Sequence, residues 1–95
     1  MKQIEKDKTD NNKKNLCYND NDLHKLKLYL ENRDINSFLS LLGKISRSYG
    51  MTKLSKECFR NRESLYRNFI KDAKPKFITI LDIFNSLGLK LTIKS

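Results

Sequence analysis

Residues 51–69 read MTKLSKECFRNRESLYRNF, and the spacing inside this stretch decides the fold. Leu54 and Cys58 stand four apart behind Thr52, whose hydroxyl suits the free amides of a first helical turn, so 52–58 reads as a two-turn helix capped by Thr52. Phe59, Arg60 and Asn61 interrupt it. Asn61 is a second capping residue, and Leu65 and Phe69 form another i, i+4 apolar pair, which predicts a helix over 62–70. Two short helices across about three residues make a helix-turn-helix signature. On its inward face Cys58 reads as a small buried apolar residue rather than a reactive thiolate.

Working outward, Ile35, Phe38, Leu39, Leu42 and Ile45 fall at i, i+3, i+4, i+7 and i+10 behind a capping Asp34. Lys44, Arg47 and Ser48 fill the other face and Gly50 follows, so a helix is expected over 35–49. Before it, Leu23, Leu26 and Leu30 with Tyr29 predict a helix over 22–32, capped by Asn21 or Asp22. After a loop at 71–76 containing the chain's one proline, Phe77, Ile80, Leu81, Phe84 and Leu87 predict a fifth helix ending at Gly88. Residues 89–94 alternate apolar and polar, the pattern of a half-buried strand. A lone strand leaves its backbone unpaired, so it pairs with the same strand of a two-fold mate, takes an edge from another protein, or docks irregularly. The expected class is all-α: five helices and a short C-terminal β-strand over residues 16–95. Residues 1–15, with five Lys, three acids and one sizeable apolar residue after Met1, are expected to be a disordered basic tail.

With 95 residues the chain makes one modest core and has little room for a deep catalytic cleft. Cys17 and Cys58 belong to no Cys-x-x-Cys pair or Cys/His cluster, so no structural metal is expected. His24 is the only histidine and stands without a partnered acid or nucleophile, so it reads as an exposed helix residue and the chain as a non-enzyme without cofactor or small-molecule substrate. No signal-peptide pattern or membrane-spanning run is present, and a cytoplasmic protein is expected.

The net charge is +9, and its excess is local. Residues 44–76 hold ten Lys and Arg against Glu57, Glu63 and Asp72, a net +7 coinciding with the two short helices. Such a surface gains from counterion release on a polyanion, which points to double-stranded DNA. In a helix-turn-helix the second helix enters the major groove and the first spans the backbone. With Leu65 and Phe69 inward, Asn61, Arg62, Glu63, Ser64, Tyr66 and Arg67 are the expected DNA-facing set. Arg62 or Arg67 suits guanine, Glu63 suits cytosine, and Thr52, Lys53 and Lys71 suit phosphates. Tyr66 stays open between this face and the core, one step of helix phase apart.

The segments 43–70, GKISRSYGMTKLSKECFRNRESLYRNFI, and 74–93, KPKFITILDIFNSLGLKLTI, resemble the addiction-module antidote family, which carries a lambda-repressor-like helix-turn-helix. The resemblance covers residues 30–93. It rests on Gly50-Met51 before Leu54, the block Arg62-Glu63-Ser64-Leu65-Tyr66, Pro75 with Phe77 and Thr79, and the ending Leu87-Gly88-Leu89-Lys90-Leu91. It implies the antitoxin of a type II toxin–antitoxin module: a homodimer that binds its own operator, represses its own promoter and neutralises a RelE/ParE-like toxin.

Three positions depart from the family pattern. Phe59 stands where the family has a turn glycine, at a strain of about 1–2 kcal/mol in a left-handed backbone. Arg60 replaces an inward aliphatic and is expected to reach outward. Lys76 replaces a capping serine before the fifth helix. The alternative these departures raise is an interaction module that keeps toxin binding through the C-terminal strand or first helix and has lost sequence-specific DNA recognition.

Overall fold

The computed structural model describes residues 2–6 and 17–93. Its elements run β1 (Lys2–Lys6), α1 (Asp20–Glu31), α2 (Ile35–Tyr49), α3 (Met51–Cys58), α4 (Arg62–Arg67), α5 (Phe77–Leu87) and β2 (Leu89–Ile93). Among the described residues the protein is thus mostly helical, with five helices and a two-stranded sheet.

Leu26 of α1, Phe38, Leu39, Leu42 and Ile45 of α2, Met51, Leu54 and Cys58 of α3, Leu65 of α4, and Ile83, Phe84 and Leu87 of α5 form one core. The Phe38 and Phe84 rings meet at 6.0 Å with their planes tilted by 51°, the offset geometry that aromatic quadrupoles favour. Tyr18 joins the core ahead of α1, and its hydroxyl donates to the Leu87 carbonyl at 3.0 Å. This bond ties the entry of α1 to the end of α5 and leaves no buried hydroxyl unmatched at that point.

The helix boundaries follow local chemistry with some shifts. Helix α1 starts two residues earlier than its apolar spacing predicts, because Asn19 rather than Asn21 or Asp22 is the cap. The Asn19 side chain accepts from the Asp22 amide at 2.8 Å, and the Asp22 carboxylate accepts from the Asn19 amide at 3.2 Å. Helix α2 has the expected bounds, with Asp34 accepting from the Ser37 amide. Thr52 is not the cap of α3. The helix begins at Met51, directly after Gly50 at φ +114°, and the cap position carries no side-chain bond. Burying Met51 draws the start of α3 one residue back.

Helix α4 ends at Arg67, three residues short of expectation. Its exit tightens into i→i−3 bonds, Asn68 to Leu65 and Phe69 to Tyr66, which turns Phe69 onto α2 and leaves Ile70 exposed. Phe69 lies directly over Gly43, where an added Cβ would stand 2.9 Å from both Cβ and Cγ of Phe69. Helix α5 has the expected length but a rotated inner face: Thr79, Ile83, Phe84 and Leu87 are buried, whereas Phe77 is 62% exposed and Ile80 and Leu81 are half-buried. Seven of its eleven residues are large apolar ones, so spacing alone leaves its phase undetermined.

The C-terminal strand is not a lone strand. It pairs antiparallel with the chain's own start, in the register Lys2↔Ile93, Ile4↔Leu91 and Lys6↔Leu89. Residues 2–6 are therefore a strand and not part of a tail, a pairing between chain ends that no local pattern announces. The rest of the expected tail, Met1 and residues 7–15, lies outside the described residues. Among the described residues, no helix is long and apolar enough to cross a membrane.

Candidate nucleic-acid interface

The connection between α3 and α4 is built by backbone bonds. The Arg60 amide donates to the Ser55 carbonyl at 3.0 Å and the Phe59 amide to that of Lys56 at 3.4 Å, with Phe59 in the left-handed region at φ 54°, ψ 42°. This is the Schellman closure that glycine ordinarily provides, made here by phenylalanine. The ring is 94% exposed, so no burial offsets the backbone strain. Arg60 reaches to α5, where its guanidinium donates to the Asp82 carboxylate at 2.7 Å. The pair is 31% and 39% exposed, so solvent screens it, and the buried Nε of Arg60 has no hydrogen-bond partner. The Asn61 side chain accepts from the Glu63 amide at 2.7 Å and opens α4 as expected.

Leu54 and Leu65 are fully buried and set the rotation of the two helices. Thr52, Lys53, Asn61, Arg62, Glu63, Ser64, Tyr66, Arg67 and Lys71 are all exposed. Tyr66 lies on the outer side of α4, 36% exposed, with Arg62 one turn before it and its guanidinium carbon 6.0 Å from the ring centre. Asn61, Arg62, Glu63 and Tyr66 share one surface hollow. Thr52 lies in the first turn of α3, its carbonyl accepting from the Ser55 hydroxyl. The Lys53 ammonium sits 4.4 Å from the centre of the Tyr49 ring, whose hydroxyl donates to Glu57 at 2.6 Å. Burial, and then the Glu57 carboxylate, hold the Tyr49 phenol well above its ordinary range. Lys71 follows α4 and does not join the Asn61–Tyr66 hollow; it lines a separate furrow with Lys44 and Arg47.

Among the described residues, Arg60–Asp82 is the one ion pair, so the remaining cations of this region have no carboxylate within bonding distance. Such unneutralised charge on an exposed surface favours an anionic partner. Cys58 is buried, with its sulfur 3.6 Å from the Ser86 hydroxyl. Burial pushes the thiols of both Cys58 and Cys17 up, which keeps them protonated at neutral pH. His24 is exposed, and among the described residues no three His, Cys, Asp or Glu side chains gather as metal ligands would. The sequence reading placed Lys44 and Arg47 on the outer face of α2 but missed Ser37 and Ser40, which extend that stripe at i, i+3, i+7, i+10 spacing.

A small helical protein with a basic, exposed helix pair is the class these features define. The family model for "Probable addiction module antidote protein" matches residues 10–95, and the chain belongs to that family. An antidote acts on a toxin, so membership implies a toxin partner. The chain is also similar to an uncharacterized protein of Haemophilus influenzae (strain Rd), with 28% identity over 65 residues covering 68% of this chain and 67% of that protein. No solved structure matches.

Proposed function

We propose that this antidote-family chain is the antitoxin of a type II toxin–antitoxin module, a non-catalytic cytoplasmic protein that binds its own operator through α3 and α4. In this reading the two helices and their turn form a lambda-repressor-like helix-turn-helix, and the chain represses its own promoter and captures a RelE/ParE-like toxin. The observation that carries the reading is the arrangement around Leu54 and Leu65. Both are fully buried, and every polar residue that this chemistry needs is on the opposite, solvent side. Against a lost interface, the turn keeps its backbone closure despite Phe59, and the Arg60 guanidinium reaches Asp82.

Helix α4 would enter the major groove, with Arg62 or Arg67 on guanine and Glu63 on cytosine, while Lys53 and Lys71 would hold phosphates. A homodimer belongs to the same proposal and would set two α4 helices about 34 Å apart on a palindromic site.

The test is an anisotropy titration with the DNA upstream of the gene and with scrambled DNA, at several salt concentrations. Preference for the upstream DNA is expected, with Arg62→Ala and Arg67→Ala each weakening it by about 1–3 kcal/mol if they read a base. Equal binding to both duplexes would refute the operator reading and leave toxin capture as the function.

A further inference from the structure

Helix α2 carries Ser37, Ser40, Lys44 and Arg47 along its outer face, and this stripe lines an open furrow of about 610 Å³. Lys25 of α1 and Lys71, after α4, also line it. Two observations define its chemistry. Four cations, two serines and Tyr29 line it, and no Asp or Glu does. Asp72, next in sequence to Lys71, lines the adjoining hollow, and its carboxylate accepts at 3.1 Å from the amide nitrogen of Asn36, a residue that lines both.

Four unopposed cations in one concave surface focus positive potential more strongly than the same charges spread over a convex one. The furrow is open to solvent rather than enclosed. Lys and Arg heads with serine hydroxyls are the donors that bind phosphate oxygens without reading bases. Lys71, assigned above to a phosphate, also lines this furrow, although it stays outside the hollow of Asn61, Arg62, Glu63 and Tyr66.

We infer that the furrow between α1, α2 and the segment after α4 is a second phosphate-binding track, holding the phosphodiester backbone of duplex DNA beside the bases that α4 faces. The inference rests on the DNA-binding reading above and assigns Lys25, Lys44 and Arg47 to positioning the duplex. The molecule extends 35 × 34 × 20 Å, so one face spans about one turn of duplex, near 34 Å, and can hold both tracks.

The test compares the full chain with the triple variant Lys25→Ala, Lys44→Ala, Arg47→Ala, leaving Lys71 in place. The three side chains are exposed, and circular dichroism with thermal melting checks that the variant folds. Affinity for the upstream duplex is followed by anisotropy from about 50 to 200 mM salt. Each phosphate contact contributes roughly 0.9 to the slope of log affinity against log salt. Losing three contacts makes the slope shallower by about 2.7, so across this range the wild-type chain loses roughly 40-fold more affinity than the variant. The preference for upstream over scrambled DNA stays unchanged, because the furrow reads no bases. A control with Arg33→Asn and Lys90→Ala, two exposed cations outside the furrow, keeps the wild-type slope.

A wild-type chain without DNA binding overturns the DNA-binding reading, and the furrow assignment with it. Wild-type binding with an unchanged slope in the folded triple variant overturns the furrow assignment alone, as does an equal loss per charge in the control. Unchanged DNA binding with loss of the toxin complex makes the furrow a protein interface and likewise overturns the assignment.

Discussion

Replacing Gly43 by alanine tests how α4 is held against α2, because two effects of opposite sign meet at that position. Alanine in a helix interior is favoured over glycine by about 0.5–1 kcal/mol. The new methyl, however, would stand 2.9 Å from the Cβ and Cγ of Phe69, well inside van der Waals contact. Swinging the ring toward solvent does not relieve the Cβ clash, because that atom is fixed to the backbone, so the exit of α4 must move by several tenths of an ångström. Overpacking of this kind costs about 1–3 kcal/mol. The packing effect wins, and Gly43→Ala is expected to destabilise the chain by about 1 kcal/mol, lowering Tm by roughly 4–8 °C. The assay is urea and thermal unfolding of Gly43→Ala, Phe69→Ala and the double variant. The substitutions should couple by at least about 0.5 kcal/mol, since Phe69→Ala removes the Cγ half of the clash. A Gly43→Ala chain that gains stability, with additive effects in the double variant, would refute the reasoning and leave helix propensity in sole control.

Three further outcomes follow from the geometry. Phe59→Gly is expected to stabilise by about 1 kcal/mol, since a left-handed non-glycine residue carries strain and the 94% exposed ring contributes no burial; a lower urea midpoint would contradict this. Tyr49 is expected to ionise above the ordinary phenol range in an absorbance titration, and Tyr49→Phe removes that step. With its folded pKa raised above 10.0, its contribution to stability is whole below that pH and fades as pH rises through the folded value, so a loss of stability that began on acidification would overturn the assignment. Deleting residues 1–6 uncovers the β2 edge and is expected to lower Tm and promote association with rising concentration, and unchanged melting and sedimentation would count against the pairing.

What was legible in the residues is local. The caps Asp34 and Asn61 and the inward positions Leu54, Cys58 and Leu65 act within one or two turns, so spacing reveals them. The exposure of Arg62, Glu63, Ser64 and Arg67 follows from those inward positions by helix geometry, whereas Tyr66, left open between face and core, is placed on the outer side by the structure. The Asn19 cap was legible too, since its partner Asp22 follows at capping-box spacing.

Chain sequence by itself determined the five helices, their order, the apolar stripes of α2 and α3, and the basic excess between residues 44 and 76, because propensity, capping and period are properties of neighbours along the chain. Only the tertiary structure decided where α4 stops, how α5 is rotated, which residue Arg60 meets and what β2 pairs with. Each of these depends on a group distant in sequence: Phe69 must clear Gly43, an all-round apolar α5 takes its phase from α2 and α3, Arg60 finds Asp82, and β2 finds the chain's own first residues. Gathering Lys25, Lys44, Arg47 and Lys71 in one furrow is of the same kind, since side chains from three separate segments share a surface only after the core has set the helix angles.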